Sequence, residues 1–161
     1  MRRELSFLKV CEYTPTFRTR RGHDDEIFLD EEGVSTLPNK PGVYIIVAED
    51  KTHFVYPKGN SSVIYIGKAD NLHRRLSEHL HSLRSLERNE EEWLQNRLQC
   101  TPRYQYIKQF GGKVYTFHCL GKQDAKNLEA DIIWKFYEKY RAIPVGNGAR
   151  SFNVLSDTKN K

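Results

Sequence analysis

The chain has 161 residues, 38% of them hydrophobic and 29% charged, and a formal net charge of +5. That length and balance suit one domain with a single core. No apolar run reaches the length of a membrane span, and the opening MRRELSFLKVCEY lacks the apolar centre of a secretory signal. Three widely spaced cysteines, Cys11, Cys100 and Cys119, argue against a disulfide framework and against a Cys-rich zinc site, so a reducing cytoplasm is expected. Basic charge with 12% aromatic residues suits a polyanionic partner without identifying one.

In chain order, residues 1–38 are mixed, with a polar stretch from Arg18 to Glu26. Pro38 and Pro41 bracket a loop. GVYIIVA, Gly42 to Ala48, is β-branched and aromatic and reads as a strand. The turn-rich connection after it extends a hairpin through His53 to Tyr56, turned by Pro-Lys-Gly-Asn at 57–60. VIYI, Val63 to Ile66, reads as a second strand antiparallel to the first. A helix follows over 71–84 and a polar one over 86–98. Thr101-Pro102 looks like a cap and first-turn proline for a short helix that Gly111-Gly112 ends. Lys113 to Leu120 reads as a third strand, 124–140 as a helix, and the tail is Gly-rich. There is no internal repeat.

Read at about 100° per residue, Leu72, Leu76, Leu80 and Leu83 form one stripe of the 71–84 helix. Arg75 and His79, one turn apart, sit on the flank of that stripe, with Asn71 and Ser82 beyond. Arg74 and His81 point the opposite way. Arg75 therefore stands at the boundary of core and water, where a side chain is held yet can reach a ligand; the alternative is an arginine whose stem merely covers the core. In the 124–140 helix the apolar face is Ala125, Leu128, Ile132, Ile133, Phe136 and Tyr140, and Glu129 projects into its middle. A carboxylate there is costly unless it is paired, protonated or bound to a metal. It is either a functional group or one half of a structural ion pair with Arg75 or Lys68.

GVY at Gly42–Tyr44 and YIG at Tyr65–Gly67, in successive strands, resemble the paired signature of the GIY-YIG nuclease family. YIGKADNLHRRLSEH resembles the matching stretch of the nucleotide-excision repair endonucleases. Glu129, in a helix after the third strand, and the final SFNVLSD extend the likeness over about Pro41 to Asp157. The resemblance implies a mixed α+β fold in which helices flank a central three-stranded antiparallel sheet. Residues 39–161 would be the nuclease domain and residues 1–38 an extension packing on or flanking it. That extension could wrap the core, clamp nucleic acid through Arg18, Arg20 and Arg21, or make a homodimer.

The resemblance also implies hydrolysis of nucleic-acid phosphodiester bonds, with DNA as the expected partner, using one divalent Mg²⁺ or Mn²⁺ per site. By position, Tyr44 and Tyr65 are the site tyrosines, Arg75 the helix arginine and Glu129 the metal ligand. His79 occupies a place where His-bearing restriction enzymes of the family carry histidine. The terminal asparagine is Asn153 in FNVL or Asn147 in PVGNG. Lys68, Asn71, Lys58 and Asn147 are the candidate nucleic-acid contacts.

The chemistry asks for these residue types. A hard cation on Glu129 can neutralise the phosphate and stabilise the leaving oxygen. Arg75 offers a fixed fork of donors to developing charge. Tyrosine needs its pKa of about 10 lowered to act as a base, whereas histidine starts near 6.5, in the range where its ionisation would shape the cleavage rate. Two other readings remain: a non-catalytic nucleic-acid-binding module on the same fold, and a protein-interaction domain.

Overall fold

The computed structural model describes residues 23–49, 51–88 and 102–148. The expectations for Arg18, Arg20 and Arg21, for most of the 86–98 helix and for Asn153 lie outside these residues. The elements, in order, are β1 (Asp25–Phe28), α1 (Glu31–Ser35), β2 (Gly42–Val47), β3 (Phe54–Tyr56), β4 (Gly59–Ser61), β5 (Val63–Ala69), α2 (Leu72–Arg88), α3 (Pro102–Phe110), β6 (Lys113–His118) and α4 (Lys122–Tyr140). No helix among the described residues is long and apolar enough to cross a membrane.

The main sheet is antiparallel throughout, in the order β1-β6-β2-β5. It has four strands rather than the expected three. The fourth is β1, whose residues 25–28 pair with Thr116 to Lys113 of β6, and Asp24 N–H and Leu29 N–H extend the ladder to Thr116 O and Gly112 O. DEIF carries two acids in four residues, and only Ile27 turns towards the core, so no alternation long enough to read exists in the sequence.

β2 runs through the middle, with all six residues buried. Its side chains alternate between two cores. Val43, Ile45 and Val47 face α4, whereas Tyr44, Ile46 and the following Ala48 face α2 and α3. A strand covered on both faces cannot show a polar alternation, which is why GVYIIV is apolar throughout. The leucine stripe of α2 is buried as expected and continues through Leu86. Asn71 caps this helix, its Oδ1 accepting from Arg74 N–H at 3.0 Å. The apolar face of α4 is also buried as expected. β3 and β4 form the separate hairpin read from residues 53–60.

Two local features set up one end of β5. First, the ladder to β2 slips: Ile46 pairs with Tyr65 but Val47 pairs with Val63, leaving Ile64 as the extra residue of a bulge. The bulge brings Ile64 and Tyr65 onto the same α2 face. Gly67 then follows Tyr65 on that face, while Ile66 and Lys68 alternate to the α4 face. Second, β5 is an edge strand, and the 143–148 segment closes its free side. Gly146 N–H donates to Ile64 O at 2.7 Å. The Asn147 amide brackets Ile66, accepting from its N–H at 3.0 Å and donating to its carbonyl at 2.9 Å.

Candidate active site

On the α2 side, a Cβ at Gly67 would lie 2.6 Å from Cζ and Oη of Tyr44 and from Cε1 of Tyr65. Glycine is thus the residue that lets both rings lie over the strand, their centroids 5.9 Å apart. His79 packs edge-on against Tyr44 and is 0% exposed, as is Tyr44 itself. The Tyr44 hydroxyl is 2.5 Å from His79 Nε2. His79 Nδ1 is 2.8 Å from the hydroxyl of Tyr104 on α3. The helical angle put His79 on the flank of the leucine stripe. It is wholly buried because α3 lies against α2 there, with Tyr104 itself buried.

Burial keeps this cluster neutral. Burial, and then the positive charges of Arg75 and Arg103, push His79 down to about 3, far below the histidine range expected from sequence. Burial, with Tyr65 adding, pushes Tyr44 well above the ordinary tyrosine value, and Arg75 and Arg103 do not reverse it. Arg75 reaches the cluster from α2: its guanidinium lies beside the Tyr44 hydroxyl, and Nη1 donates to Glu78 Oε2 at 3.0 Å. Burial works against its charge, but Tyr44, Glu78 and Tyr65 outweigh it and hold the pKa above the usual arginine value.

Arg75 lines an open cleft of about 240 Å³ together with Lys68, Asn71, Arg74 and Glu78. Arg74 therefore reaches the same cleft as Arg75 instead of pointing away from it, but as an exposed side chain.

On the α4 side, Glu129 meets the same strand. Its carboxylate accepts a hydrogen bond from the backbone N–H of Lys68, one residue beyond Gly67. Burial raises it from the ordinary 4.5 to about 7, and the Lys68 ammonium and N–H only partly offset that. Among the described residues no group of three or more His, Cys, Asp and Glu side chains gathers. A metal at Glu129 would take that carboxylate as a hard oxygen donor and could keep water in the rest of its shell. That hard, sparse donor set fits Mg²⁺, which gives up its waters reluctantly, and does not fit a thiolate or imidazole site.

Tyr44, Tyr65, Arg75 and His79 therefore meet on one face of β5, and Glu129 approaches Lys68 of the same strand from the other. The other sequence-nominated residues are placed differently. Asn71 caps α2 and also donates from Nδ2 to Asn39 Oδ1 at 3.2 Å, although it borders the cleft. The amide of Asn147 is committed to the backbone of Ile66. Lys58 sits on the β3–β4 turn, where its N–H donates to Tyr140 O at the far end of α4.

Sequence reading missed Arg103 and Tyr104. Arg103 lays its guanidinium over the Tyr65 ring, 4.2 Å from the centroid, and its buried Nε has no hydrogen-bond partner among the described residues. Tyr104 with Ile107, one turn on, reads as an ordinary apolar helix face, so only the tertiary contact reveals its role.

A family model described as the GIY-YIG catalytic domain matches residues 40–141. Neither the curated proteins nor the solved structures include a match to the chain.

Proposed function

Because the chain belongs to the GIY-YIG nuclease family, we propose that it is a metal-dependent endonuclease hydrolysing the phosphodiester bonds of DNA. The observation that carries this reading is the Tyr44–His79 contact at 2.5 Å beside Arg75, on the strand that Glu129 meets from the other side. Residues 39–161 form the nuclease domain in this reading, and residues 1–38 the extension that lends β1 to its sheet.

Arg75 grips a phosphoryl oxygen of the scissile phosphate, and Tyr65, backed by Arg103, fixes the phosphate's orientation. As water attacks phosphorus, its proton passes to the Tyr44 oxygen while the Tyr44 proton moves to His79 Nε2. The bond from phosphorus to the leaving oxygen breaks in the same displacement. An imidazolium formed between Arg75 and Arg103 is unfavourable until a phosphate brings negative charge, so proton transfer is tied to substrate occupancy. Glu129 would hold Mg²⁺ or Mn²⁺, which when bound neutralises a phosphoryl oxygen and the leaving oxygen. Lys68 contacts a neighbouring phosphate from the cleft.

The test is supercoiled plasmid with Mg²⁺, with and without chelator. The expected result is nicked and linear products that disappear with chelator. Salt-sensitive binding without cleavage would make the chain a binding module instead, since phosphate contacts weaken steeply with salt. Absence of both would leave the protein-interaction reading.

A further inference from the structure

The Tyr44 hydroxyl is buried, so its proton needs an acceptor. Among the described residues its hydrogen-bond partner is His79 Nε2, with the Arg75 guanidinium beside it. A guanidinium has no acceptor, so Arg75 can only donate to the Tyr44 oxygen. The Tyr44 O–H must then donate to His79 Nε2. A buried, neutral imidazole that accepts at Nε2 carries its hydrogen on Nδ1. The group at Nδ1 is the Tyr104 hydroxyl, 2.8 Å away.

We infer that Tyr104 is a positioning residue: its hydroxyl oxygen accepts the Nδ1–H of His79 and so locks the imidazole in the tautomer whose Nε2 takes the Tyr44 proton. The opposite tautomer would aim two donors, from Arg75 and from His79, at the Tyr44 oxygen and strand the Tyr44 proton in the core. Tyr104 is placed by its own packing. It is buried on the first turn of α3, and its ring centroid is 5.8 Å from that of His79. The effect on rate rests on the nuclease reading above, whereas the tautomer itself does not.

The experiment is long-range ¹H–¹⁵N NMR of histidine-labelled full chain, with the His79 signals assigned by their loss in His79→Gln. The wild type should show a protonated Nδ1 and an unprotonated Nε2 from pH 5 to pH 8. Tyr104→Phe keeps the ring and removes the acceptor. Its His79 should move to a mixed or Nε2-protonated state while the amide spectrum stays native. Plasmid cleavage by Tyr104→Phe should lose about 10–100-fold in kcat with KM unchanged, the range found when the orienting partner of a functional histidine is removed. A wild type with Nε2 protonated overturns the inference without any variant. So does a Tyr104→Phe protein with an unaltered tautomer, or one with an altered tautomer and wild-type kcat. If the wild type cleaves nothing, the nuclease reading fails, and the tautomer assignments still decide the role of Tyr104.

Discussion

The two faces of β5 solve the problem of a buried polar group in opposite ways. On the α2 face, Tyr44, His79 and Tyr104 are buried and hydrogen-bonded to one another, and burial drives both His79 and Tyr44 towards their neutral forms. On the α4 face, Glu129 is half-buried on the helix face that carries Leu128, Ile132 and Ile133, Lys68 favours its anion, and burial raises its pKa to about 7. A satisfied cluster holds positions without needing anything from outside. A carboxyl that burial makes hard to ionise is stabilised further as an anion when a cation binds it. In the nuclease reading proposed above, the difference separates residues that shape the site from the residue that recruits a metal to it.

The largest expected effect breaks the α4 side. Glu129→Gln keeps the volume and removes the ligand charge, so Mg²⁺-dependent plasmid cleavage should vanish while duplex binding in a gel shift persists. The same variant should gain stability without metal. Glu129 has a folded pKa above its unfolded one, so the wild type loses stability as pH rises from about 4.5 to about 7. Metal-free thermal unfolding should therefore show Glu129→Gln above the wild type at pH 8 and level with it near pH 4. Full activity in the variant would remove Glu129 from the metal site.

On the α2 side, Arg75→Ala should cost about 2.7–4 kcal/mol of transition-state stabilisation, roughly 10²–10³ in single-turnover rate. Arg74→Ala, which removes an exposed side chain from the same cleft, should weaken binding with little change in that rate. Equal losses from the two would erase the distinction between the arginine that touches Tyr44 and the one that does not.

Much of this comparison was legible in the sequence. The three long strands, the leucine stripe, the Arg75 flank and the misfit of Glu129 all follow from periodicity, which burial enforces over whole elements. Local pattern fails where a contact depends on one residue from a distant element. Tyr104 looks like any core aromatic, and its hydroxyl matters because α3 happens to lie against His79. The ordinary histidine pKa was the wrong starting point for the same reason: Arg103, from α3, joins Arg75 and burial in lowering it. β1 was missed because four residues with two acids carry no readable alternation. The bulge at Ile64, which turns Tyr65 to the site face, is a property of pairing and leaves no mark on VIYI.

A smaller effect sharpens the same contrast. Gly67→Ala places a methyl group within 2.6 Å of both tyrosine rings, so these must shift. Overpacking of this kind costs about 1–3 kcal/mol. Urea unfolding should show that loss, and Mg²⁺ binding to Glu129, on the other face, should change less than the cleavage rate does.

The central claim is that Glu129 waits as an acid and becomes a ligand when metal displaces its proton. The direct measurement is the pH dependence of plasmid cleavage at Mg²⁺ concentrations from well below to well above its dissociation constant. The rate should rise with pH through a midpoint near 7, because only the ionised carboxylate binds metal. Well below the metal's dissociation constant the midpoint should stay near 7, and above it each tenfold increase in Mg²⁺ should lower the midpoint by about one pH unit, as proton and metal compete for one group. In the free protein the ionisation of His79 lies near 3, outside this range. A midpoint that stays fixed as Mg²⁺ is varied would contradict the account.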